Sequence, residues 1–305
     1  MLMLIINIII LLFAPFLMLG VVKKTKAFWS GRKGVSVLQP LWDFWRLMNK
    51  DAVYSKTTSW VFKFAPIAGF ASILFASIFV PLVNGVVIID TPFSFILFAY
   101  ILAFGKFFSL LSALDTGSSF EGMGASREAC FSTIVEPAFF IMMASIGVLS
   151  KIYTFESFKH IIENAGVYGI LIIILAVFTL FVMLLVEGCR VPVDDPTTHL
   201  ELTMIHEVMI LDNSGADLGL ITWGAAIKLF IFEALIANLL LPLNLPFGWA
   251  ILAFLGIVTL ISVLLGTFES AIARFRMTHV FEFIFIMTLT ALLILALVTY
   301  RLYGN

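Results

Sequence analysis

The feature that most constrains this chain is the recurrence of apolar runs of membrane-spanning length. Residues 170–186, ILIIILAVFTLFVMLLV, contain no charge, and roughly 20 such residues in helical form cross a bilayer core of about 30 Å. In lipid every backbone N–H and C=O must be satisfied without water, so only helices and closed barrels can span. Continuous apolar runs without two-residue alternation specify helices. Hydropathy places eight of them, at 2–22, 60–82, 93–114, 131–150, 166–186, 221–242, 249–269 and 280–300. The 305 residues are 62% hydrophobic and 12% charged, against roughly 45–50% and about 25% in a soluble domain. The expectation is an all-α, polytopic integral membrane protein, a single transmembrane domain over 1–305. The first run lacks a basic leader and an A-x-A site, and is expected to be a retained span.

Orientation follows from the cations. Nine of the 18 lysines and arginines fall between residues 23 and 63, and loops on the same side add Arg127, Arg190, Arg274 and Arg276. The opposite side carries only Lys151, Lys159 and Arg301. The positive-inside rule then makes the charged loops cytoplasmic and puts both termini on the outer side of a cell inner (cytoplasmic) membrane. Within the first loop, LQPLWDFWRLMN sets Leu38, Leu41, Trp42, Trp45 and Met48 on one helical face and Gln39, Asp43, Arg46 and Lys50 on another. That pattern specifies an interfacial amphipathic helix. It serves as an anchor, as the wall of a side entrance to a cavity, or as a docking surface for a soluble partner. No basic face interleaved with aromatics occurs elsewhere, so the sequence gives no support for a nucleic-acid partner.

Two further loops collect ionisable groups. LDTGSSFEGMGASREACFSTIVEP brings Asp115, Glu121, Arg127, Glu128 and Glu136 together. Glu128 and Glu136, eight residues apart, share a helical face. Pro137 removes a donor and is expected to interrupt the fourth span near Glu136. The glycines do not form a phosphate cradle, since no strand or G-x-x-x-x-G-K-[ST] spacing accompanies them. EGCRVPVDDPTTHLELTMIHE, residues 187–207, offers Arg190 a two-pronged pair with Glu187, Asp194 or Asp195. Pro192 and Pro196 stop the preceding helix, and Thr197 or Thr198 caps a short helix over 199–209 on which His199 and His206 share a face. The histidines are about 10 Å apart along such a helix, so they suit a hydrogen-bonded cluster or cavity-facing proton donors better than a metal site.

Two cysteines, Cys130 and Cys189, are too few for an iron–sulfur cluster. No cofactor and no catalytic residue are therefore expected in this chain. Within spans stand Lys106, Glu136, Lys228, Glu233 and Glu282, each costing roughly 2.5–3.5 kcal/mol at the bilayer centre. They must face protein or water. Lys228 and Glu233, five residues apart, lie about 140° apart around a helix, so their partners belong to other helices. Buried structural ion pairs are one reading; a chain of titratable groups carrying protons or cations is the favoured one.

These residues resemble the membrane-subunit family shared by respiratory complex I (its quinone-site subunit) and energy-converting nickel–iron hydrogenases. Complex I subunits carry E-x-x-R-x-P-x-D after the fifth span; here it is Glu187, Arg190, Pro192 and Asp194. LSALDTGSSFEGMGASRE followed by VEP, and GRKGVSVLQPLWDFWRL, resemble the formate hydrogenlyase branch. Quinone-type subunits continue P-E-A-E-x-E-L and end E-Y-S-G. This chain has PTTHLEL and then Asp212, Asn213, Ser214 and Gly215. The resemblance implies a membrane subunit that anchors peripheral hydrogenase-like and iron–sulfur subunits, adjoins antiporter-like subunits, and couples redox chemistry to proton or sodium movement. Iron–sulfur clusters and a nickel–iron centre would lie in those partners; quinone would be the substrate in the alternative, complex I-type reading. The resemblance nominates Glu128, Glu136, Glu187, Arg190, Asp194, Glu201 and Lys228 for ion coupling, and Glu233 joins them from its place in a span. Asp115, Arg127, Asp195, His199, His206 and Asp212 are expected at the junction with the peripheral arm. A stand-alone ion transporter and a passive anchor are the readings from other classes.

Overall fold

The structure, a computed structural model, describes residues 2–195, 204–241 and 245–303. Its helices are α1 (Leu2–Trp29), α2 (Gln39–Met48), α3 (Trp60–Ser77), α4 (Ser94–Asp115), α5 (Ser119–Ser150), α6 (Ile161–Ala165), α7 (Gly169–Glu187), α8 (His206–Met209), α9 (Gly215–Leu240), α10 (Phe247–Ala271) and α11 (Met277–Tyr303). Among the described residues eight are long and apolar enough to cross a membrane, all but α2, α6 and α8. Serial threading puts the loops after α1, α4, α7 and α10 on one face of the bundle, here called the loop side.

α9 is the axis. It is the most enclosed of the spans and packs against α1, α2, α3, α7 and α10. Small residues permit this closeness. At Gly215, with φ +56°, an added Cβ would stand 2.5 Å from the Asp51 carbonyl oxygen, so only glycine lets the first loop cross the start of α9. Ser214 Oγ accepts from Val53 N at 2.9 Å, and the Tyr54 hydroxyl donates to Asp217 Oδ2 at 2.8 Å. The first loop is thereby strapped to the helix, and the bond to Asp217 raises the Tyr54 phenol above its ordinary value.

The fourth span departs from expectation. The helix begins at Ser119, not near 131, and runs unbroken through Pro137 to Ser150. Its N-cap, Ser118, accepts from Phe120 N at 3.4 Å. Gly124 is buried against α8, where a Cβ would lie 2.8 Å from the Ile205 carbonyl oxygen, so this glycine, which looked like loop, serves packing. One missing donor at Pro137 does not outweigh the cooperative ladder on either side. At 1.5 Å per residue α5 is about 48 Å long, well beyond a core of roughly 30 Å. Its first turns, carrying Glu121 and Arg127, extend past the bilayer on the loop side.

Candidate functional site

The charges left over by eight apolar helices converge at the loop-side end. Glu187 is the last residue of α7, directly after an uncharged run, and is buried. Lys106 of α4 reaches its Oε1 at 2.6 Å, and Lys228 of α9 reaches its Oε2 at 3.1 Å. Lys106 also donates to Ser132 Oγ at 2.8 Å and lies 3.7 Å from Glu128 Oε1. Removing ions from water costs several kcal/mol each unless they are paired, so α4 and α9 each bring a cation to the one carboxylate that ends α7. Glu136, on the Glu128 face of α5, is half-buried within electrostatic reach of Lys106. Glu128, Glu136, Glu187 and Lys228 are thus gathered around Lys106, one of the in-span charges that the sequence requires to face protein or water.

Glu233 stands apart. It is fully buried, accepts a hydrogen bond from Ser262 of α10 at 2.8 Å, and its second oxygen is unpartnered. As the helical spacing requires, it faces away from Lys228. Glu282 is not interior: its side chain is 73% exposed and pairs with His279 at 3.0 Å.

The E-x-x-R-x-P-x-D segment divides between two neighbours. Arg190 does not pair with Glu187, Asp194 or Asp195; its ion pair is with Glu269 of α10, at 3.5 Å. Glu187 is already held by two lysines, and the tight turn formed by Val193 N and Asp194 N on the Arg190 carbonyl directs the guanidinium toward α10. Glu269, enclosed completely, also holds Lys26 at 2.7 Å. Asp194 pairs with Arg274 at 3.0 Å and accepts from the backbone of Ile205 and His206 at 3.1 and 3.0 Å, capping α8. That helix is only four residues, His206–Met209; the start of the expected 199–209 helix, with His199 and Glu201, lies outside the described residues.

Two cavities meet here. One, among α3, α4, α5 and α9, is lined by Lys106, Glu128, Glu187 and Lys228. The other opens between α1, α2 and α9, with Phe16, Lys23, Phe44 and Arg190 on its walls. Cys189, His206, Ile210 and Ala225 border both. Burial, then the Lys228 charge, lower the His206 imidazole to about 4 against the opposing pull of Asp194. It is neutral near pH 7, which fits a hydrogen-bonding wall better than a proton donor. Burial and the nearby carboxylates push the Cys189 thiol well up.

Of the expected junction residues, Arg127 donates to the Met204 carbonyl at 2.8 Å, and Asp195 is half-buried beside Asp194. Asp212 is exposed on the loop before α9. Asp115 holds the backbone of a neighbouring helix, its Oδ2 accepting from Ser59 N at 2.7 Å at the start of α3. Lys26, Glu269 and Arg274 join the site without any sequence pattern that singles them out. Lys26 and Glu269 sit near helix ends and Arg274 in the connection between α10 and α11, where a single charge reads as ordinary topology.

The sequence profile of the NADH dehydrogenase family matches residues 1–300. The chain belongs to the NADH dehydrogenase family. This NADH dehydrogenase-family chain is 29% identical over 279 residues to hydrogenase-4 component C of Escherichia coli (strain K12), covering 87% of the chain and 84% of that protein. It is 25% identical over 278 residues to formate hydrogenlyase subunit 4 of the same organism, covering 87% of each. Among solved structures, a chain of the membrane-bound sulfane sulfur reductase, an archaeal respiratory membrane complex, superposes with a TM-score of 0.80 over 97% of this chain and 98% of that one. At 16% identity that likeness establishes the fold alone.

Proposed function

We propose that this chain is the membrane subunit of an energy-converting, hydrogenase-type (formate hydrogenlyase-like) oxidoreductase complex, anchoring a peripheral redox arm and coupling its chemistry to proton or sodium movement. The observation that carries the reading is the Glu128–Lys106–Glu187–Lys228 cluster, directly beneath the loop that would face the arm. A charge change in a docked partner alters ion affinities across such a cluster because fields are weakly screened in a low-dielectric bundle. Hydrogenase-like and iron–sulfur subunits on the loop side, and antiporter-like subunits within the membrane, are the partners this requires. Iron–sulfur clusters, and a nickel–iron centre if the arm is a true hydrogenase, belong to them. The loop side is then cytoplasmic, with both termini outside an inner membrane. Glu136→Gln in vesicles that carry the whole complex is expected to abolish redox-driven movement of protons or sodium while the arm stays attached. Movement at the parental ratio to redox turnover would overturn the role of Glu136.

A second reading has its own observation. The cavity between α1, α2 and α9 combines aromatic walls with Lys23 and Arg190, a combination suited to an amphiphile such as quinone. Reduction of a quinone analogue by the purified complex, lost in Phe44→Trp, would favour a complex I-type quinone reductase; no reduction would dismiss it.

A further inference from the structure

Three alternate positions of one turn are each held by the corner between α10 and α11. Arg190 pairs with Glu269 at 3.5 Å, the Pro192 carbonyl accepts from Phe275 N at 3.0 Å, and Asp194 pairs with Arg274 at 3.0 Å. The corner is therefore the surface on which this turn is registered. Its two ends are anchored differently. Glu269 also holds Lys26, which ties the turn to α1 and the cavity between α1, α2 and α9. Asp194, fixed by Arg274, in turn fixes the start of α8 through two backbone N–H bonds, and with it the His206 wall of both cavities. α10 packs on α1 and α9, whereas α11 packs on α5 and α7, so the corner bridges the two halves of the bundle.

We propose that Glu269 and Arg274 are positioning residues: through Arg190 and Asp194 they hold the turn after α7, and the His206 wall behind it, in the register that lets loop and membrane charges act on each other. Glu269 lies between two cations, Lys26 and Arg190, and Arg274 holds Asp194. The inference rests on the coupling reading above.

The test is a double-mutant cycle in membrane vesicles containing the whole complex. Reduced methyl viologen serves as donor, with protons, polysulfide and a quinone analogue offered as acceptors. Ions moved per viologen oxidised are read with a pH-sensitive dye and with radioactive sodium, normalised to the peripheral arm retained on the membrane. Asp194→Ala and Arg274→Ala are each expected to lower that ratio about tenfold, and the double variant no further than twofold beyond the worse single, because neighbours acting as one unit are not additive. Glu269→Gln is expected to lower it about tenfold and Glu269→Asp to restore it to within threefold. Effects that multiply to about a hundredfold, an Arg274→Ala complex that couples normally, or a failure of Glu269→Asp to rescue would each overturn the proposal. If the alanine variants do not assemble, Arg274→Lys decides: an assembled but uncoupled Arg274→Lys complex also overturns it. Glu187→Gln is run alongside. Lost coupling there with intact coupling in the corner variants defeats only this inference, whereas intact coupling in Glu187→Gln defeats the coupling reading itself.

Discussion

Lys106 Nζ and Glu187 Oε1 stand 2.6 Å apart, on α4 and α7, although 81 residues separate them. Lys228 approaches the other oxygen of the same carboxylate at 3.1 Å, so the three groups are unequal in importance. Removing Lys106 leaves Glu187 with one cation. Removing the Glu187 charge leaves two ammonium groups facing each other, with Glu128 and the more distant Glu136 as the remaining carboxylates near Lys106. Glu187→Gln is therefore expected to destabilise by about 3–5 kcal/mol, as for other broken buried pairs, and Lys106→Met by about 1–3 kcal/mol. Thermal unfolding in detergent, followed by tryptophan fluorescence, ranks the two. Equal midpoints would show that Glu187 is not the hub.

His206 gives the loop a pH dependence with a definite sign. Its folded value, lowered to about 4, lies below the value of about 6.5 expected in an unfolded chain. Between these, the unfolded state binds the extra proton and the folded state does not, so stability rises with pH. The contribution is complete above about 6.5 and is lost as the pH falls toward 4. Comparing thermal midpoints at pH 7.5 and 5.0 should show a drop that His206→Gln reduces. An undiminished drop in the variant assigns the acid sensitivity to other groups.

Much of this architecture is written in periodicity. Eight spans, their alternation, and the inability of Lys228 and Glu233 to pair all follow from helical geometry. What periodicity does not encode is which helix lies beside which. Arg190 therefore had three plausible carboxylates in its own loop, and the one it uses, Glu269, is 79 positions away in the sequence. The same limit hid Lys26 and Arg274, whose roles depend on the α1–α10 contact and the α10–α11 corner. Gly124 misled in the opposite direction: local propensity favours a loop, and tertiary packing against α8 overrides it.

The two cysteines are expected to differ sharply. Cys130 is exposed on α5, whereas Cys189 is buried with its thiol pushed well above the ordinary range. Thiolate is the reactive form. N-ethylmaleimide at pH 7.5 should add once to the purified chain in detergent and not at all to Cys130→Ser, read by intact mass. A second adduct without denaturant would mean that the turn after α7 opens freely.

The tryptophan face of the amphipathic helix α2 is not the face that packs on the bundle. Leu38, Trp42, Trp45 and Met48 are exposed, with Trp45 at 65%. The inward residues are Pro40, Phe44 and Leu47: the Phe44 ring lies 4.8 Å from Trp223 and 5.4 Å from Phe16. The aromatic stripe is thus directed to the interface, and the wall of the cavity between α1, α2 and α9 comes from residues that the helical grouping set aside. Phe44→Ala removes packed ring contacts and is expected to cost about 2–4 kcal/mol. Trp45→Ala should change stability by no more than about 0.5 kcal/mol while reducing the quenching of tryptophan fluorescence by brominated lipids in nanodiscs. If Trp45→Ala instead lowered the thermal midpoint as much as Phe44→Ala, the stripe would be packed against protein rather than lipid.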